Sequence, residues 1–407
     1  MENNDSNKIP DVQPAFPVYL LNQPVQAKLN YFRDLKITHP ILTQTFEELW
    51  ESTNYYNEGS LILLFGPTGV GKTTIMELLE KRVLEEMKDE LVNDRERIPL
   101  VKAEIAGPTS GKFDWKDFYK EMLRGLAEFS IDNRVNFSRW ENPQQPCLPL
   151  GNLTQSYDAV ANDNRSTESR LRTSVEQALA HRRPKVVLLD EAQHLTALST
   201  GRKLLDQQNV IKSLANRTAI THALFGSYEL MTFRNLNGQL ARRTVNIHFP
   251  RYLHTSKRDF RDFEKTIWNF QKQLPLEKEP DLLSQKEQLY EGCLGCIGIL
   301  KNWLYRALVA ALSANSKTLT DYHLEQSRLD DVKLVKILKE CLEGETKLNS
   351  DRNEAQKELK KLLYTVPLSP TAQGDMKAKG KKNTKKGSQS VGLRRPWRDE
   401  VGRRKAV

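Results

Sequence analysis

The sequence predicts an α/β fold built on a mostly parallel central sheet, and three observations carry that expectation. Five short runs, Leu61–Phe65, Leu100–Ile105, Lys185–Leu189, Thr218–Phe225 and Thr244–Phe249, are apolar without polar alternation, the pattern of strands buried on both faces. Helical patterns separate them, and strands that alternate with helices pair in parallel beneath helices on both sides. A glycine-rich loop joins the first run to the helix after it, Gly66-Pro67-Thr68-Gly69-Val70-Gly71-Lys72-Thr73-Thr74.

Taken in order, residues 1–16 are polar with prolines and read as a loose lead-in. From His39 to Trp50, Ile41, Leu42, Phe46, Leu49 and Trp50 recur at helical spacing, so a helix is expected to enter the core there. The loop and its helix follow the first strand, and Trp115–Glu128 and Thr167–His181 are the clearest later helices of the α/β part. Between them, residues 131–164 are polar and proline-bearing (ENPQQPCLPLGN), which suggests an inserted surface loop. After Arg251 the strand signals stop. Lys257–Gln273, Ile299–Ser313 and Asp321–Leu342 read as helices of a small separate domain. From Pro367 onward Pro, Gly, Ser and Lys dominate, the composition of a disordered tail. The expected division is 1–58 as an N-terminal extension, 59–250 as the α/β domain, 251–345 as a helical lid, and 346–407 as helix end and basic tail.

Composition excludes several classes. At 407 residues with 38% hydrophobic content the chain can bury two or three domain cores, and no run of about 18 apolar residues offers a membrane span. The first residues lack a charged-then-apolar secretion signal, and four cysteines in this length make no disulfide framework, so a reducing, cytoplasmic setting is expected. The formal charge of +10 is concentrated at one end. Residues 371–407 hold 12 Lys+Arg against 3 Asp+Glu, leaving 50 against 49 for the other 370. The basicity therefore belongs to the tail and implies no basic groove on the folded body.

The loop matches G-x-x-x-x-G-K-[ST] at every fixed position. Its glycines let the backbone wrap a β-phosphate, successive N–H groups form an anion nest, and the following helix adds its N-terminal dipole. Lys72 is placed to meet the β- and γ-phosphates, and the Thr73 hydroxyl to bind Mg²⁺. The third strand runs into Asp190-Glu191. A carboxylate at that strand end beside the loop suits Mg²⁺ (Asp190) and polarisation of an attacking water (Glu191), so ATP hydrolysis is favoured over binding alone.

GPTGVGKTT and VVLLDEAQHL resemble the Walker A and Walker B motifs of AAA+ ATPases, and AITHALFGSYEL followed by QLARRTVNIHF resembles their sensor-1 strand and arginine-finger region. The wording DEAQHL with LFGSYEL, the lead-in YFRDLKITHPILTQTFEELW and the lid segment GCIGILKNWLYRAL are most similar to the TniB/TnsC family of transposition regulators, over about Tyr31 to Leu312. The resemblance implies ATP and Mg²⁺ as cofactors and a homo-oligomer, ring or helical filament, on the backbone of double-stranded DNA. It further implies recruitment of a transposase, a target-selection protein or RNA-guided complex as partner, and a bacterial cytoplasmic, nucleoid-associated setting. By the same resemblance Ser227 is the sensor-1 group, Arg242 or Arg243 is the finger offered to a neighbouring subunit's ATP, and Lys301 occupies the sensor-2 position usually given to arginine. A solvated basic pair and an exposed helix lysine are the plainer readings of these last two features.

The segment after the second strand, with Lys102, Thr109, Ser110 and Lys112, suits contacts to DNA phosphates, or else a simple helix-capping loop. In the tail, Leu393-Arg394-Arg395-Pro396-Trp397-Arg398 sets an aromatic among charges, as in a short linear motif. The family implies a tether to transposase there, with nonspecific DNA binding as the alternative. Cys293-Leu-Gly-Cys296 has zinc-ligand spacing but no second pair, and a packed turn accounts for it as well. Two rival functions remain from the sequence: an AAA+ loader or initiator of replication, and a signalling or scaffold NTPase that binds no DNA.

Overall fold

The computed structural model describes residues 15–55, 59–94, 96–107, 113–131, 166–196, 202–233 and 244–365. Met1–Arg352 forms one compact unit and Asn353–Val407 a second. Arg242, Arg243, Thr109, Ser110, Lys112, Arg394, Arg395, Trp397 and Arg398, and the expected 131–164 insertion beyond Ile131, lie outside the described residues.

In the first unit a short 3-10 turn, Val18–Asn22, leads into α1 (Val25–Asp34) and α2 (Pro40–Tyr55). Five strands follow, each where an apolar run stands: β1 (Leu61–Phe65), β2 (Leu100–Glu104), β3 (Val186–Asp190), β4 (Thr221–Gly226) and β5 (Thr244–His248). They make one sheet in the order β2-β3-β4-β1-β5, with every neighbouring pair parallel. Every residue of β1 and β4 is buried, as is β3 up to Leu189. Such strands need helices on both faces. These are α3 (Lys72–Glu86), α4 (Lys88–Asn93), α5 (Trp115–Ile131), α6 (Glu168–Arg182) and α7 (Arg202–Thr218). α5 approaches β2 closely because Gly125 sits at the contact, where a Cβ would lie 2.4 Å from the Lys102 carbonyl oxygen.

After β5 come α8 (Lys257–Lys272), α9 (Lys286–Cys293), α10 (Ile297–Ser313), α11 (Asp321–Ser327) and α12 (Asp331–Thr365). Fully buried Trp303, Leu304, Leu308 and Phe263 centre this helical region. Among the described residues no single helix is long and apolar enough to cross a membrane.

Two differences from the sequence reading have physical causes. The helix expected over Asp321–Leu342 is two helices, broken where Arg328 is extended at φ −64°, ψ 150°. The carbonyls freed at the break are satisfied from α10: the Trp303 indole donates to Leu324 O (2.8 Å) and Arg306 Nε to Ser327 O (3.0 Å). Asp330 restarts the chain by accepting the Val332 N–H at 3.1 Å. The second difference is α1, which the sequence reading did not single out although Val25, Leu29 and Phe32 stand at helical spacing. It is held by burial of Phe32 and by packing on α10. In the second unit the described residues end the run of α12, and Leu359, Leu362, Leu363 and Tyr364 are exposed.

Candidate functional site

The strand order reverses at β1, which lies between β4 and β5, so the crevice at the C-terminal ends of β1, β3 and β4 is where an open parallel sheet takes its ligand. The loop Gly66–Gly71 fills that place. Its first N–H, from Gly66, bonds to Gly226 O at the end of β4 (3.3 Å), and Phe249 N–H bonds back to Phe65 O (2.9 Å). Gly69 at φ 80° and Gly71 at φ 115° supply the left-handed turns that only glycine adopts without cost. Lys72 opens α3 and turns its ammonium over the loop, donating to Gly66 O (3.0 Å) and Pro67 O (2.9 Å). Burial pushes its pKa down, and the charges of Glu191 and Asp190 oppose that shift. Thr73 is exposed in the first turn of α3.

Asp190 ends β3 beside Glu104 of β2 and accepts the Glu191 N–H at 2.8 Å. Burial raises its pKa. The Glu191 N–H and the charges of Lys102 and Lys72 oppose this, while the Glu191 charge adds to it. Glu191 stands at φ 52°, ψ 33°, a left-handed conformation that costs a non-glycine residue roughly 1–3 kcal/mol. That strain brings an exposed carboxylate out beside the loop immediately after a strand-end aspartate. Ser227 follows β4 directly, and its Oγ accepts the Glu229 N–H at 3.4 Å. Lys72, Asp190, Glu191 and Ser227, far apart in sequence, therefore share one end of the sheet, with Thr73 a residue beyond Lys72. A threonine hydroxyl and an aspartate are hard oxygen donors of the kind that hold Mg²⁺ through one or two protein ligands plus phosphates. Among the described residues no cluster of three His, Cys, Asp or Glu side chains forms a protein-only metal cage.

The structure adds residues that the sequence did not single out. Gln193, in the turn after Glu191, donates from Nε2 to the Glu191 carboxylate and accepts the Ser227 N–H at Oε1 (3.2 Å). Helix α10 meets the loop directly: Gly298 N–H bonds to Gly69 O at 2.7 Å, and a Cβ on Gly298 would lie 2.5 Å from that oxygen. Ile37 and Leu42 before and within α2, with Val70, Gly71 and Ile297, bound a cleft of about 40 Å³ beside this contact. Lys301 lines the cleft too, but its ammonium donates to Arg33 O (2.8 Å) and to Leu35 O. On the other flank, Glu340 and Gly344 of α12 face Pro67, Thr68 and Ser227 across a cavity of about 220 Å³. Gly344 is seated against the Tyr228 ring, where a Cβ would come within 2.2 Å. Cys296 and Cys341 are buried free thiols hydrogen-bonded to each other, and burial pushes Cys293 up to about 12. The Cys293–Cys296 segment is thus a packed turn, closed by Cys296 N–H to Cys293 O at 2.9 Å.

Lys102 sits half-buried in β2, and its charge acts on Asp190.

An all-parallel sheet of this order, a phosphate loop at its reversal point and an aspartate-glutamate pair on the adjoining strand end define a P-loop nucleotide-binding ATPase. Consistent with that, residues 56–233 match the family described as AAA domain. No curated protein matches the chain in sequence. In fold it is similar to the ORC2 protein of Aeropyrum pernix in ADPNP–ADP complexes, at 14% identity over 79% of this chain and 70% of that one, TM-score 0.42. It is also similar to a Walker-type ATPase of Pyrococcus abyssi (15%, 77% and 76%, 0.40). A third similar structure is Cdc6p of Pyrobaculum aerophilum (11%, 77% and 71%, 0.45).

Proposed function

We propose that the chain is an ATP-hydrolysing AAA+ regulator of DNA transposition. It assembles on double-stranded DNA with ATP at subunit boundaries, and hydrolysis releases the assembly. The observation that carries the hydrolytic part is the convergence of Lys72, Asp190, Glu191 and Ser227 on one sheet end. Lys72 leaves the loop carbonyls to bind the β- and γ-phosphates; Thr73 and Asp190 are the residues that would hold Mg²⁺, which would supply charge neutralisation at the transferring phosphoryl group. Glu191 takes the proton of the attacking water, and Ser227 orients the water or the γ-phosphate. The base enters between Ile37, Val70 and Ile297. The present cleft is far below the roughly 300–1,000 Å³ of ligand pockets, so the lid must open for it.

The transposition part rests on the resemblance of DEAQHL, LFGSYEL and GCIGILKNWLYRAL to the TniB/TnsC family. In this reading Arg242 or Arg243 completes a neighbour's site, Lys102, Thr109, Ser110 and Lys112 touch DNA phosphates, and the segment around Trp397 engages the transposase. An arginine supplied in trans links ATP to assembly, because its phosphate contact exists only at a boundary. The test is the anisotropy of a labelled long duplex titrated with the full chain, with ATP, a nonhydrolysable analogue or ADP. Nucleotide-dependent, salt-sensitive binding with release on hydrolysis is expected. Binding indifferent to nucleotide, or none, overturns the assembly model. An in vitro strand-transfer reaction with a cognate transposase then separates transposition from replication loading.

A further inference from the structure

We infer that Gln193 is a positioning residue that ties the Glu191 carboxylate to the sensor-1 end of β4, so that a group seated at Ser227 and the residue that activates water move as one. This rests on the hydrolytic reading above. It is carried by geometry that the reading does not use. The Gln193 amide joins its own turn to a residue 34 positions away: Nε2 donates to Glu191, and Oε1 accepts the Ser227 N–H at 3.2 Å. The path between them is kept open by Gly226, where any Cβ would lie 2.7 Å from Gln193 Oε1 and 3.2 Å from Gln193 N. The turn bearing Gln193 is closed at both ends, by His194 N–H to Glu191 O (3.0 Å) and Thr196 N–H to Gln193 O (2.8 Å). The amide is therefore held between its two partners.

The chemistry of the link follows from what each end lacks. Glu191 is exposed on a left-handed residue, and a carboxylate there has several rotamers open to it. One amide donor selects among them without neutralising the charge, which an arginine or lysine would do. Its carbonyl end reads a backbone N–H whose position is set by Ser227. When Ser227 shifts onto a γ-phosphate, the pull on Oε1 is transmitted through a planar amide to the carboxylate. Among side chains that do not titrate, glutamine and asparagine alone offer donor and acceptor in one rigid plane, and asparagine is one methylene shorter.

The experiment uses the full chain with duplex DNA and ATP. Single-turnover hydrolysis is measured by rapid quench, and nucleotide affinity by anisotropy of a fluorescent ATP analogue, for wild type, Gln193→Leu and Gln193→Glu. Gln193→Glu keeps the shape and the acceptor for Ser227 but sets a like charge against Glu191. Both variants are expected to lose about 10–100-fold in hydrolysis, the scale of a catalytic group displaced by about 1 Å, with nucleotide affinity unchanged. In a Glu191→Gln background, Gln193→Leu should add no further loss. A Gln193→Glu protein that hydrolyses at the wild-type rate overturns the inference, as do parallel losses of affinity and rate or an additive loss on Glu191→Gln. If Gln193→Leu does not fold, the isosteric Gln193→Glu decides alone. Wild-type chain that binds nucleotide but never hydrolyses it overturns the hydrolytic reading, and this inference with it.

Discussion

Glu345→Gln tests how firmly α12 is fixed over the phosphate loop. Arg251, just beyond β5, is one of the few charged side chains buried among the described residues, with 7% of its surface accessible. Its Nε and NH2 donate to the two Glu345 oxygens at 2.7 and 3.0 Å, and NH1 reaches Leu294 O at 3.2 Å. Burial lowers the guanidinium pKa, and the Glu345 contact more than restores it, so the group stays charged in the fold. Replacing the carboxylate by an amide leaves that charge with neutral acceptors only: the amide oxygen, Leu294 O and the Tyr290 hydroxyl. Unpairing a buried ion pair in this way costs about 3–5 kcal/mol, and the 20% exposure of Glu345 argues for the lower end. At roughly 2 °C per kcal/mol for a unit of this size, a Tm fall of about 6 °C is expected in calorimetry or in urea melts converted to free energy. Arg251→Met combined with Glu345→Leu should recover most of the loss, because the desolvation cost goes with the charges. A Glu345→Gln protein within about 1 kcal/mol of wild type would show that water already reaches the pair, and the buried-latch account of α12 would be wrong.

Two further outcomes follow from the site and the core. Lys72→Ala removes the ammonium that the loop carbonyls now hold and should abolish binding of a fluorescent ATP analogue, whereas Glu191→Gln should retain ATP and prolong the DNA-bound assembly in a dissociation assay. Acid should unfold the first unit well above the carboxylate range, because burial lowers His39 to about 3 and His222 and His248 to about 4. The folded pKa lies below the unfolded value of about 6.5. Stability is therefore full above that pH and falls by about 1.4 kcal/mol per unit and per histidine down to the folded pKa. Urea melts between pH 7 and pH 5 should show that slope, and His222→Gln should reduce it by about a third, since His39 and His248 still contribute; a flat profile in wild type refutes the burial of these rings.

The sheet was legible because its evidence is local. Five apolar runs, each bounded by polar text, map onto five strands, and the register follows once β1, β3 and β4 are buried on both faces. The phosphate loop and Asp190-Glu191 were legible for the same reason, since their residue types are fixed by chemistry over a few positions. What the sequence did not announce depends on distant partners. Gln193 matters only because Ser227 lies beside it in space. Gly298 and Gly344 are ordinary helix glycines until the Gly69 carbonyl and the Tyr228 ring stand against them. The break at Arg328 is invisible because the groups that satisfy its carbonyls, Trp303 and Arg306, sit on another helix.

Lys301 shows how such a distant partner changes a functional argument. Its place in α10 fits a residue that reaches nucleotide, yet its ammonium donates to Arg33 O at 2.8 Å and to Leu35 O, pinning the turn between α1 and α2 that walls the cleft. Burial lowers its pKa, the charge of Glu77 opposing and that of Lys36 assisting, so the ammonium has reason to keep those carbonyls. The two roles separate in one measurement. A phosphate contact discriminates ATP from ADP, whereas a clamp shapes the walls that both nucleotides share. Lys301→Met keeps the stem and removes the charge. As a clamp, it should weaken ATP and ADP alike and lower stability by about 1–3 kcal/mol, the worth of a charge-assisted bond to a partly buried acceptor. The ratio of the two dissociation constants would then stay at its wild-type value. A selective loss of ATP, with Tm unchanged, would show that the lysine leaves the carbonyls for the γ-phosphate when nucleotide binds, and that the turn is held by burial of Phe32 and Ile37 without it.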